Sequence, residues 1–169
     1  MSESHSISEF LTPEIKSELE ITRRMLAAVP DGHNDFKPAD KSMTLARLAG
    51  HVAEIPWFVT ATLNGPNFDL AAPNDLERHV FQTSAQNVAA FDGMAAKAEA
   101  AVRSSGDANF SEPWSLVFGE HVIFTGTRHS SYRAMAMSHL IHHRAQLGVY
   151  LRLLGVPVPK TYGPSADEQ

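Results

Sequence analysis

Apolar positions recur at intervals of three and four along four stretches of the chain, the spacing that keeps one face of a helix buried. Ile15, Leu19, Thr22, Leu26 and Val29 form the first stripe and predict a helix from about Pro13 to Val29. Thr12 suits its N-cap, Pro13 its first position, and Pro30-Asp31-Gly32 its end. Leu45, Leu48, Val52, Ile55, Val59 and Thr62 share a second face, from about Ser42 to Leu63. Pro56 lies inside that pattern and predicts a break near Glu54–Ile55. The third helix is expected from about Asn74 to Ser104, carried by Phe81, Val88, Phe91, Ala95, Ala98 and Val102. The fourth, from about Ser130 to Leu154, sets Met135, His139, His143, Leu147, Tyr150 and Leu154 on one face. Gly155 ends it, with Pro157 and Pro159 beyond.

Between the third and fourth stretches the period changes from helical to alternating. Trp114, Leu116 and Phe118 alternate with Ser115 and Val117, and Val122-Ile123-Phe124 follows Gly119-Glu120. A glycine opening a two-residue turn suits a type II′ hairpin, so a small β-hairpin or extended flap is predicted here. Asn67 to Pro73 reads as a loop. The expected fold is all-α: a four-helix bundle in a single domain over residues 1–169, with a flap between helices three and four.

Composition narrows the chemistry. With 169 residues, 43% of them apolar and 20% charged, the chain can bury a sizeable core. The net charge is −5 and the lysines and arginines are scattered, so no nucleic-acid partner is expected. No stretch approaches the length of a membrane span, and the first residues lack the basic-then-apolar pattern of a leader. A cytoplasmic protein without a membrane partner is the expectation. There is no cysteine, which excludes disulfides, thiolate metal sites and a cysteine nucleophile. Metal chemistry then falls to histidine and carboxylate.

Nine histidines are present, and three fall on inward faces. His139 and His143 are four residues apart, one helical turn, on the apolar stripe beside Met135 and Leu147. His51 lies between Leu48 and Ile55 on the inner face of the second helix. Imidazoles buried without partners are costly, and a shared metal ion relieves that cost. Three protein ligands leave a coordination position open, as catalytic metal sites do. A lone core histidine is more often hydrogen-bonded to backbone or carboxylate than metal-bound, and paired histidines also occur on solvated faces. His142 is rotated about 100° from His143 and points elsewhere. His5, His33, His79, His121 and His129 follow no ligand pattern.

The run His139-Leu-Ile-His-His143-Arg144-Ala145-Gln146-Leu147 resembles the C-terminal helix signature H-x-x-x-H-R-G-Q of the DinB/YfiT-like superfamily. Lys37-Pro38, Ser42-Met43-Thr44-Leu45, Leu48 and His51 resemble its second-helix signature. Tyr150 to Gly155, Val158-Pro159 and Tyr162 to Asp167 resemble its usual ending. The similarity is weakest from Asn67 to Gly126, and Ala145 stands where the family often has glycine. The resemblance implies an up-down-down-up four-helix bundle, a homodimer, and a metal on His51, His139 and His143.

It further implies a divalent metal, with zinc or nickel ahead of iron, and a low-molecular-weight thiol as cosubstrate. The expected activity is a metal-dependent thiol S-transferase. The metal would bind the cosubstrate thiol as thiolate, which would attack a small electrophile, so no protein cysteine is needed. The alternative is a non-enzymatic metal-containing bundle that binds a small ligand or serves a stress response. Glu54, three residues after His51, is expected to orient that ring, to act as a base, or to form a surface ion pair. Arg144 and Gln146 bind an anionic cosubstrate or pair with carboxylates across the bundle. Trp57, Phe58, Trp114 and Phe118 wall a pocket or, more ordinarily, pack in the core.

Overall fold

The computed structural model describes residues 5–73 and 78–168. Helix α1 covers Ile7–Ala27, starting about two turns ahead of the predicted Pro13 and ending just short of Val29. Its N-cap is Ser6, not Thr12: Ser6 Oγ accepts from the Glu9 amide, and the Glu9 carboxylate accepts from the Ser6 amide. This reciprocal pair satisfies two of the amides that a helix start leaves open, and moves the start ahead of Pro13. Pro13 therefore sits inside the helix and removes a single amide donor.

The break at Pro56 is present. Helix α2 covers Leu45–Glu54 and α3 covers Trp57–Asn64, with Ile55 and Pro56 between them. Thr44 caps α2 through a hydrogen bond from the Arg47 amide. Arg128 donates to the carbonyls of Thr62 and Gly65, and Asn109 to that of Leu63. A cation and an amide thus cover the open carbonyls at the end of α3.

Helix α4 covers Ser84–Ser104, starting at a Thr83/Gln86 capping box. The expected start near Asn74 does not hold: Asn74 to Glu77 lie outside the described residues, and 78–83 are not helical. Phe81 accordingly lies ahead of the helix, its ring stacked on His79 at 4.6 Å. A short helix, α5 over Asp107–Ser111, follows where only a stop is legible in the sequence.

The flap is a three-stranded sheet. Strand β2 (Pro113–Phe118) pairs antiparallel with β3 (His121–Thr127), and β1 (Phe68–Asp69) adds in parallel, Phe68 opposite Leu116. Gly119 has φ of 57° and Glu120 has no positive φ, as a type II′ turn requires. The loop predicted over Asn67 to Pro73 therefore contains an edge strand. Trp114 is fully buried, and its indole donates to the Pro66 carbonyl at 2.9 Å, which anchors the flap to the end of α3.

The last helical stretch has three parts. Helix α6 covers Arg128–Ser131, a π-helical segment covers Tyr132–Ser138, and α7 covers His139–Leu153. Gly155, φ 71°, ends α7: its amide bonds to the Arg152 carbonyl and that of Val156 to Leu151. That is the Schellman pattern which the glycine signalled. α1 and α4 pack along one another, α2 and α3 lie on α4, and α7 lies on α2 and α1. Ile15, Leu26, Val52, Phe91, Val102 and Leu147 meet in the single core of this four-helix bundle. No described helix is long and apolar enough to cross a membrane.

Candidate metal centre

The break at Pro56 lets α2 end at the core, and the π segment delivers the first turn of α7 opposite it. His51 comes from α2, and His139 and His143 from successive turns of α7. One ring nitrogen from each lies within 4.8 Å of the others. His51 Nε2 and His139 Nε2 are 3.0 Å apart. All three rings are partly buried, and the Phe58 ring stands edge-on to His139 at 5.8 Å.

Each ring is held from its far side. His51 Nδ1 donates to Glu54 Oε1 at 2.8 Å, His143 Nδ1 to Gln146 Oε1 at 2.8 Å, and His139 Nδ1 to the Met135 carbonyl at 3.2 Å. These acceptors assign the proton to Nδ1 in all three rings, which leaves each Nε2 with a lone pair. The His139 amide bonds to the Ala136 carbonyl, and the Met135 carbonyl, inside the π segment, accepts from the ring. A π segment before a ligand pair is a recurrent way to re-aim side chains.

Two lone pairs facing each other at 3.0 Å repel unless a cation lies between them. Imidazole nitrogens that converge with unshared electrons are the donor set of a divalent transition metal. Burial and the nearby His51 push the His139 imidazole below its ordinary pKa, and the same two causes take His143 down to about 4. Both rings are then neutral near pH 7, the form that ligates.

Glu54 is 2% exposed and anchors a wider network. Arg47 Nη2 donates to Glu54 Oε1 at 2.6 Å, and the His79 amide to Oε2 at 3.1 Å. Burial alone would raise this carboxyl, but hydrogen bonds from His51, Arg47 and the His79 amide outweigh it and hold it below its ordinary value. Glu54 is therefore placed to orient the His51 ring, and its burial rules out a surface ion pair. Arg47 was not singled out from sequence, although its spacing to His51 and Glu54, four and seven residues, marks one helix face.

The other candidates divide. Gln146 sits at the centre through His143. Arg144 does not: it is 2% exposed and turned toward α1, 2.7 Å from the Glu18 carboxylate and 3.1 Å from Thr22 Oγ1. It also bonds Tyr162 of the tail, so it pairs across the bundle rather than facing a ligand. Phe58 reaches the centre, Trp114 packs in the core, and Phe118 is exposed at the flap tip. His142 is exposed with its ring 4.8 Å from that of His143.

A cleft of about 390 Å3 opens beside the centre, bounded by His143 and Gln146 on α7 and by Lys41 to Met43 ahead of α2. A larger cleft of about 470 Å3, walled by Trp57, Asn64 and Phe68, contains none of the three histidines. The smaller one is where a ligand of the centre would lie.

The chain is similar to known proteins in sequence and in fold. Protein YrdA of Bacillus subtilis (strain 168), described as uncharacterized, is 27% identical over 154 residues, covering 89% of this chain and 85% of YrdA. The crystal structure of a DinB-like protein from Bacillus cereus ATCC 10987 superposes with a TM-score of 0.71, at 20% identity over 93% of this chain and 98% of its own. The DinB-like protein YjoA of Bacillus subtilis gives 0.65, at 20% identity over 94% and 98%. The DinB family model matches residues 1–169, and with the helical bundle and its small flap this places the chain in the DinB family.

Proposed function

We propose that this DinB-family chain is a divalent-metal-dependent enzyme that joins a low-molecular-weight thiol to a small electrophile. The observation that carries the reading is the convergence of three imidazole nitrogens, each ring held by its own acceptor. Zinc or nickel, and after them ferrous iron, suit such a donor set. When bound there, the ion supplies Lewis acidity and lowers the pKa of a coordinated thiol or water. The protein's own contribution is geometric. Glu54, Gln146 and the Met135 carbonyl hold the rings, Phe58 and the packed core exclude water from one side, and the cleft beside His143 admits a small molecule. The nucleophilic sulfur belongs to the cosubstrate, because the chain has no cysteine.

The test is thiol-dependent turnover. Zinc- or nickel-loaded protein is offered mercaptobutyrate and a panel of alkyl and aryl halides, with thioether formation and halide release followed together. Turnover is expected only with metal, thiol and protein all present, and is expected to vanish in His139→Ala/His143→Ala. Saturable thiol binding without product would instead support a metal-containing binding protein.

A further inference from the structure

The cleft beside His143 has an uneven chemistry. Its floor is apolar and closed: Leu48 and Tyr150 are buried, and the Tyr150 hydroxyl is taken up by the Met43 carbonyl at 3.0 Å. Lys41, Ser42 and Gln146 line its polar side, Lys41 from an exposed position. Gln146 spends its carbonyl oxygen on His143, so its NH2 is the part left to offer. Among the described residues no aspartate or glutamate lines the cleft, although the chain as a whole has a net charge of −5. A pocket that ends at His143 and whose one Lys, Arg, Asp or Glu lining residue among the described residues is a lysine favours a negatively charged molecule.

Resting on the metal reading above, we propose that this cleft seats the anionic end of the small molecule whose other end reaches the metal. Lys41 is the specificity-determining residue for that anion. The ligand class is a short acid, a carboxylate or comparable monoanion, with a metal-binding head and an apolar link that lies over Leu48. Lys41 acts on affinity for charged ligands and not on the metal. Ser42 adds a hydroxyl donor at the same end of the cleft.

Cobalt-loaded protein provides the test, because ligands that reach the metal change its visible spectrum. Two matched probe pairs are titrated: mercaptobutyrate against mercaptobutanol, and glutarate monohydroxamate against valerohydroxamate. In each pair the metal-binding head and chain length are kept and the distal carboxylate is replaced by a neutral group, hydroxymethyl in one pair and methyl in the other. The acid is expected to bind about fivefold tighter than its neutral partner at low salt, with the preference shrinking as salt rises. Lys41→Ala is expected to abolish the preference and Lys41→Glu to reverse it, with cobalt content and neutral-probe affinity unchanged. An acid preference that survives both substitutions overturns the proposal, as does its absence from the parent protein. A hydroxamate pair that behaves as expected beside a silent thiol pair would sink the thiol chemistry and keep the anion site. Failure to take up cobalt would sink the metal reading and this inference together.

Discussion

Each imidazole of the centre owes its direction to one acceptor, and the three acceptors differ in kind: a carboxylate, a side-chain amide and a backbone carbonyl. Glu54 is the most consequential, because its removal also releases Arg47 and the His79 amide. Glu54→Gln keeps the shape and loses the charge. It is expected to lower zinc affinity by roughly 10–100-fold, read by competition with a chromophoric chelator. Unchanged affinity would show that the carboxylate is only a folding contact. Arg144 supplies the contrast. Replacing it by methionine strands the Glu18 carboxylate and its neighbours, and is expected to cost about 3–5 kcal/mol of stability in urea unfolding. Metal stoichiometry of the folded fraction should not change, since Arg144 faces α1 rather than the cleft.

Helix α2 is pressed against the segment that carries His79, and Gly50 makes the approach feasible. A Cβ at Gly50 would lie 2.1 Å from the His79 carbonyl oxygen, a backbone atom that cannot swing aside. Gly50→Ala is therefore expected to destabilise the fold by about 1–3 kcal/mol and to weaken metal binding by shifting the Glu54 contact with His79. A variant as stable as the parent would contradict the close approach. The elements themselves were unevenly legible. The stripe through Leu45 to Thr62 and Pro56 within it mark α2, the break and α3, because Pro56 lacks an amide to donate and crowds the turn before it. Pro13 points the other way: it suits a first helical position, but the Ser6/Glu9 capping box ahead of it sets the start six residues earlier, and α1 runs through it. The π segment leaves no mark, since apolar residues at three and four still read as one helix while the chain inserts extra residues in a turn. The two-residue strand β1 was equally silent, being defined by its partner β2 rather than by its own alternation.

For the molecule as a whole, two partly buried imidazoles that are hard to protonate tie stability to pH. His143 titrates at about 4 in the fold, and His139 also below its usual value, whereas both return to about 6.5 on unfolding. Between those limits the unfolded chain binds more protons, so their contribution is complete above about pH 6.5 and is lost as pH falls toward 4. The thermal midpoint of chelator-stripped protein should drop over that window, and less steeply in His139→Asn/His143→Asn. Equal slopes would show that the rings are not held neutral. His51, His139 and His143 are legible because they are polar donors on helix faces that packing would otherwise fill with carbon. The acceptors behind them, Arg47 and the Met135 carbonyl above all, emerge only when the chain is folded. That His51, His139 and His143 together hold one divalent ion is tested most directly by elemental analysis of tag-free protein beside His139→Ala/His143→Ala. About one equivalent in the parent and almost none in the variant is the predicted result. A parent that stays empty after exposure to zinc and nickel, or a variant that keeps its metal, would contradict it.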